Sequence, residues 1–587
     1  MRALLGGVAA AALALSCIVA GCEAITSRDG LQCQVTPDCQ ARGAEFANTI
    51  CSEGLCEKII VPDGGSAQTC TDSESCLFSL GAPGRCISGQ CVSFSPTSTV
   101  TNAQLCTTYG PVANDDAVLL GVIVPFGGSI AATQALGIAS YPTGGGNTGT
   151  ILNEILSVWN AKAVTQTPAA PQFAALVCDE LDLAGSVALF QQAKPAFIVG
   201  PYSDAKLRTL ISSTSTTPLL SPLGDGADLI ASQNRWFCTA NRSAALAPFQ
   251  SSVDLLAKYI AKTRAKPQVS VQLLEDSAEP SEAQFANSLV STSFTFNGES
   301  ATEVSDAGAP LFQQVDIASG SSAVNIEDTN SSSGLIQANA VVNFQPDLVV
   351  LTGATWAPSL LEQIESRWAT RFQGKVPPPY YLIMHTSPAV ATFAQGGSQL
   401  SLKGRLFALD SDNSETTNGL NSNYQTFQTE LSVIGISEPF GGTQYSDCTT
   451  LGMYGVTAAA SSGTAPSALT AVQFSQGVAQ VSQTMSANRG NLVATPDAIG
   501  NVLTLLANNQ SVQLLGTSLY FGLDLATGMP ALNLPAPSPA TSPDQGHTFA
   551  LQCAQTPPNS AGWFPAGVFY DKSAPGVPSS ATIDCTK

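Results

Sequence analysis

The chain has 587 residues, of which 44% are hydrophobic and 11% charged, with a formal net charge of −20 at pH 7. It is too long for one hydrophobic core and supplies apolar material for several. The charged fraction is low against about 25% in soluble proteins, so Ser, Thr, Asn, Gln and Gly must cover much of the surface, and the acidic excess repels phosphate backbones, which argues against a nucleic-acid partner.

The first 24 residues read MRALLGGVAAAALALSCIVAGCEA. One basic residue, Arg2, precedes an apolar stretch, the pattern of a secretory signal that takes no part in the fold. The stretch ends in Val19-Ala20-Gly21-Cys22, which resembles the lipobox of bacterial lipoproteins. That resemblance implies a signal peptide over 1–21 and lipidation at Cys22. The chain would then be exported and held on the bacterial cell envelope, in the periplasm or at the cell surface, by lipid alone. Ordinary cleavage after small residues is the alternative, with Cys22 free to join a disulfide. No later segment offers about 18 unbroken apolar residues, so no transmembrane helix is expected.

Sixteen cysteines occur. Setting aside Cys17 and Cys22 leaves an even number, and an oxidising compartment makes disulfides the expectation. Eight fall into a duplicated pattern within 22–92: Cys33, Cys39, Cys51 and Cys56, then Cys70, Cys76, Cys86 and Cys91. Zinc sites favour closer cysteine pairs, often with histidine; with five residues inside the first pair of each copy and no histidine nearby, we expect disulfides and no metal. Each copy has few large apolar residues and needs such staples. The two repeats read as a stalk, or as an interaction module. Residues 93–105, containing SFSPTSTVTNAQ, read as a Ser/Thr linker.

Beyond Cys106 the texture changes. AVLLGVIVPF (117–126) is a continuous apolar run, as in a buried parallel strand. ILNEILSVWNAKAV has helical spacing. FAALVC, AFIVG and TPLLSP read as further strands, separated by the helical segments DLAGSVALFQQAK and DAKLRTLISS. After a long helix, SAALAPFQSSVDLLAKYIAK (243–262), the alternation restarts. Its strands are QVSVQLL, DLVVL, YYLIM and GRLFALD, with helices LIQANAVVNF and PSLLEQIESRW between them. The fold class is therefore α/β, with two doubly wound parallel-sheet units preceded by small disulfide-rich repeats. Ligands of such sheets sit beyond the carboxyl ends of the strands, so two facing units make a cleft.

The order of these elements, with VIVPFGG, IVGPYSDA, LLSPLGD and NFQPDLVVLTGATWAPSLLEQIESR, resembles the type I periplasmic binding proteins, in particular the leucine/isoleucine/valine-binding receptors of ABC transporters. The resemblance covers roughly 106–587. It implies two lobes joined by three crossovers, lobe 1 at about 106–265 and 438–515, lobe 2 at about 266–437 and 516–587. It also implies binding groups in the strand-end turns: Phe126 and Ser129, Tyr202-Ser203-Asp204, and Leu223-Gly224-Asp225 in lobe 1; Asp276 and Ser277 in EDSAEPSE, Thr352 and Gly353, and His385 in lobe 2. Asp204 and Asp225 put negative charge where a carboxylate would dock. Either they cap helices, or the ligand is not a simple α-amino acid. Cys106, Cys178, Cys238, Cys448, Cys553 and Cys585 are the remaining candidates for disulfides, with connectivity left open.

Three motifs are set aside. GGGNTG (144–149) has the letters of a dinucleotide loop but follows no strand. GGSIA (127–131) nearly matches a nucleophile elbow around Ser129, but only His385 and His547 could serve as base. DSDNSE (410–415) lacks the Gly and Glu of a calcium loop. The sequence thus points to a non-enzymatic solute-binding protein without cofactor. It would close on a small polar ligand, an amino acid or derivative, and work with an ABC permease. A surface sensor or adhesion protein with a degenerate cleft is the alternative.

Overall fold

The computed structural model describes residues 49–52, 55–58 and, with breaks, 69–585; the longer breaks are 127–137, 140–149, 223–234, 239–244, 301–310, 318–331, 385–401, 412–421, 437–441, 483–487, 517–522, 531–546 and 556–561. The signal, Cys22, Cys33 and Cys39 lie outside the described residues.

Strands β1 (Thr49–Ser52) and β2 (Leu55–Lys58) form an antiparallel hairpin with Cys51 opposite Cys56. In the second repeat, helix α1 (Ser73–Leu80) starts at Asp72, whose carboxylate accepts the Ser75 N–H at 2.7 Å, and ends at Gly81, which takes the left-handed φ of 64°. The hairpin of β3 (Gly84–Ile87) and β4 (Gln90–Ser93) has the same register, Cys86 opposite Cys91. These opposed cysteines bond elsewhere: Cys70 to Cys86 and Cys76 to Cys91.

The linker is not a free tether. Ser98 donates its hydroxyl to Asp182 at 2.8 Å, and the Thr99 N–H donates to the same oxygen at 3.2 Å. Phe94 is fully buried in the core of the following unit, with Ile87 and Val92 packed on its margin. Arg85 donates to the carbonyls of Val112 and Asn114 at 2.8 and 3.0 Å. The second repeat and the linker therefore pack against one face of the α/β unit.

Strands β5 (Cys106–Tyr109), β6 (Val118–Val124), β7 (Phe173–Asp179), β8 (Ile198–Val199), β9 (Leu219–Ser221) and β10 (Arg235–Phe237) make the first sheet, in the order β10-β9-β8-β6-β7-β5. All pairings are parallel except β5 with β7, where Cys106 faces Cys178 and bonds to it. Every residue of β6 and β7 is buried, as a sheet covered on both faces requires. Helices α2 (Ile151–Ala163), α3 (Leu183–Ala193) and α4 (Asp204–Ser213) cross over between strands. The edge strands β5 and β10 are not apparent in the sequence because three or four residues carry no usable period.

Helix α5 (Leu246–Arg264) follows. Counted with the first lobe from sequence, it packs instead on the second sheet, burying Phe249, Val253, Leu256 and Ile260 there. That sheet runs β14-β11-β15-β16-β17-β22-β23. Its parallel strands are β11 (Val271–Glu275), β14 (Phe312–Asp316), β15 (Leu348–Leu351), β16 (Tyr380–Met384) and β17 (Leu406–Ser411). Strands β22 (His547–Gln555) and β23 (Gly562–Asp571) return from the end of the chain and extend it antiparallel. Helices α6 (Pro280–Ser291), α7 (Ser332–Phe344) and α8 (Ala357–Phe372) cover its faces, and β12 (Thr295–Phe296) with β13 (Glu299–Ser300) makes a small hairpin. A disulfide joins Cys553 to Cys585.

Between β17 and β22 the chain rejoins the first unit. Burial raises the Glu154 carboxyl pKa on α2, and the charge of Glu430 on helix α9 (Ser422–Val433) adds to it. Helix α10 (Gly442–Ala460) is buried over almost its whole length against β8, β9 and α2. Helices α11 (Ala471–Val481) and α12 (Pro496–Ala507) flank it. Two small pairs complete the described strands: β18 (Arg489–Asn491) with β19 (Gln513–Leu515), and β20 (Leu523–Asp524) with β21 (Met529–Pro530).

Candidate functional site

Strands β7 and β8 of the first sheet are followed by helices α3 and α4, and β11 of the second by α6. Helix α4, after β8 of the first sheet, lies beside α6, which follows β11 of the second. These two helices are a point of contact between the two α/β units.

On the first unit's side, the stretch IVGPYSDA carries β8 into α4. Gly200 has φ +116°, open to glycine, and a Cβ there would run into the backbone carbonyl of Ile123. The strand end is held from behind by Tyr445 of α10, whose phenol donates to that same carbonyl at 2.7 Å. Phe126 is brought to the edge after β6, where its N–H donates to Asp179 Oδ1 at 3.0 Å. Asp179, 2% exposed, also accepts the Leu181 N–H at 3.0 Å. Next to it Glu180 is buried and faces Lys206 of α4 at 3.5 Å. Ser129, Tyr202, Ser203, Leu223, Gly224 and Asp225 lie outside the described residues; Asp204 is placed as the first residue of α4.

On the second unit's side, Asp276 and Ser277 follow β11. The Ser277 N–H donates to Asp316 Oδ1 at 3.1 Å. Glu275 ends the strand, 7% exposed, and accepts from Gln314 at 2.6 Å. Burial, opposed by that hydrogen bond and reinforced by Asp316, raises its pKa. Thr352 is fully buried; its hydroxyl lies 3.3 Å from the Leu274 carbonyl and 3.5 Å from Glu282 Oε2. The indole N–H of Trp356 donates to the same oxygen of Glu282 at 3.0 Å. Gly353 sits between them, and a Cβ there would overlap the Glu282 carboxylate. His385 lies outside the described residues.

The structure therefore gathers Thr352 and Gly353 around a carboxylate the sequence reading passed over. Glu282 is the last residue of EDSAEPSE and stands in the first turn of a helix opened by Pro280. An acid in a first turn after Pro is a helix-start signal. Nothing local says that this one is buried against the turn after β15.

No protein-family model matches the chain, and no curated protein matches it. Among solved structures, it is similar to a leucine-binding protein from Thermotoga maritima at 12% identity, covering 76% of this chain and 98% of that one, TM-score 0.45. A solute-binding protein of an ABC transporter from R. palustris, solved in complex with benzoate, matches at 12% identity, 80% and 100% coverage, TM-score 0.43. A fatty acid ABC transporter substrate-binding protein from Thermomonospora curvata matches at 10% identity, 81% and 95% coverage, TM-score 0.41.

Proposed function

We propose that the chain is an exported solute-binding protein, lipid-anchored through Cys22, whose two α/β units close around a small polar ligand. An amino acid or derivative is the class we favour, delivered to an ABC permease. The observation that supports this reading is that α4, which follows β8 of one doubly wound sheet, lies beside α6, which follows β11 of the other; ligands of such sheets sit beyond the carboxyl ends of the strands. The apolar leader ending in Val19-Ala20-Gly21-Cys22 supports export and anchoring. No helix among the described residues is long and apolar enough to cross a membrane. The turns after β6, β8 and β9 would supply one wall, with Phe126, Ser129, Tyr202, Ser203, Asp204 and Leu223 to Asp225. Asp276, Ser277 and His385 would stand on the other. Closure would be a hinge motion that removes water from the ligand.

The test is thermal unfolding of the mature chain with a panel of amino acids, amides and short peptides. A ligand at 100 times its Kd adds about 2.7 kcal/mol and raises the midpoint accordingly. A second reading, a surface sensor or adhesion protein with a filled cleft, is favoured by one observation: Thr352 and Gly353 are buried under Glu282 and Trp356 rather than facing outward. An unchanged midpoint across the whole panel would favour that second reading.

A further inference from the structure

We infer that the Cys238–Cys448 disulfide is the mechanical anchor of the chain's first passage between the two units. The passage is short. Cys238, directly after β10 of the first sheet, is fully buried; Ala245 is fully buried in the core that α5 shares with the second sheet; six residues of chain separate them. The strand that delivers the chain to this point is weak by itself. β10 has three residues, lies at the end of its sheet and pairs on one side with β9, Arg235 to Leu219 through Phe237 to Ser221. One further backbone bond, from the Cys238 N–H to the Ser221 carbonyl at 2.9 Å, ends the ladder. Relative motion of the units would load these few bonds in turn, and short edge ladders open readily.

The disulfide redirects that load. Cys448 lies in the first half of α10, which is buried nearly throughout and packed on β8, β9 and α2. Trp236 adds a second contact with the same helical layer, its ring 5.1 Å from that of Phe474 on α11. The bond encloses the whole span from 239 to 447, including five strands of the second sheet. Strain on the passage is therefore delivered to the helical layer rather than to an edge strand. The consequence for closure rests on the two-unit binding reading; the anchoring does not, and it is measured without any ligand.

The experiment is hydrogen–deuterium exchange on the mature chain. In the wild type, amides of Trp236 to Cys238 should exchange as slowly as those of Leu219 to Ser221. In Cys238→Ala/Cys448→Ala the 235–238 segment should exchange at least tenfold faster, with 173–179 unchanged. A matched variant, Cys106→Ala/Cys178→Ala, should loosen 106–109 and leave 235–238 as it was. Fast exchange of 236–238 in the wild type overturns the inference, and that arm needs no variant to fold. So does unchanged exchange in the Cys238/Cys448 variant, or equal loosening of 235–238 in the matched one. A panel without a ligand hit changes none of these readings.

Discussion

At the scale of single residues, the carboxylates differ according to what faces them. Asp347, just before β15, is 3% exposed and is met by Arg264 and Lys266, each at 2.6 Å, and by the N–H and hydroxyl of Ser270 at 3.1 and 3.2 Å. Burial alone would raise its pKa, but the Lys266 ammonium, the Ser270 N–H and Arg264 outweigh that and hold it low. A depressed carboxylate pKa stabilises the fold above the unfolded pKa, near 4, and the contribution is lost as pH falls through the folded value. Asp347→Asn should therefore cost about 1–3 kcal/mol at neutral pH, since it removes the charge that meets a largely covered Arg264 and a half-exposed Lys266. In urea titrations at stepped pH, the gap between wild type and variant should narrow under acid conditions. A gap independent of pH would contradict the assignment. Gly353 gives the second residue-scale prediction. Its missing Cβ is the space that Glu282 and Trp356 fill. Gly353→Ala should destabilise by about 1–3 kcal/mol through overpacking, with a change in Trp356 emission; a variant matching wild type in both would refute this packing.

At the scale of elements, close approach between helices decides the first unit's architecture. A Cβ on Gly477 of α11 would overlap the Gly455 carbonyl of α10, so two glycines let these backbones meet. Gly477→Ala should force the helices apart at a cost of about 1–3 kcal/mol, read as a lower denaturation midpoint with an unchanged slope. The two cysteine hairpins share a register, with Cys51 opposite Cys56 and Cys86 opposite Cys91. In the second copy Cys86 bonds to Cys70 and Cys91 to Cys76. By the repeat, peptide mapping of the intact protein should recover Cys33 linked to Cys51 and Cys39 linked to Cys56. Recovery of a Cys51–Cys56 peptide would show that the copies differ. The long strands and helices were legible from sequence because each carries enough residues to display a period. Runs such as VLLGVIV and YYLIM are buried throughout, as their unbroken apolar character suggests.

At the scale of the whole molecule, the second cysteine repeat belongs with the α/β region it precedes. Phe94 is fully buried between the repeat and the first sheet, and Ser73 and Arg85 bind the loop at 112–115. A chain beginning at residue 69 should unfold near the midpoint of the mature protein. One beginning at 106 should lose at least the cost of emptying a buried phenylalanine site, about 3–5 kcal/mol, and unfold at markedly lower temperature. Equal midpoints would mean that the repeat only rests on the surface.

Sequence by itself determined the alternation of strand and helix, its restart in a second unit, the cysteine duplication and the acidic, weakly charged surface. All of these are local or compositional properties, carried by periodicity over many residues. Tertiary structure decided which unit receives α5, which cysteines meet, that the Ser/Thr linker is pinned to Asp182, and that Glu282 is buried against Thr352 and Trp356. Such outcomes depend on residues from 15 to more than 200 positions apart, and on strands of two or three residues. The free energy that selects them comes from burying apolar surface and pairing polar atoms between elements, and a period read along one element carries no record of its partner.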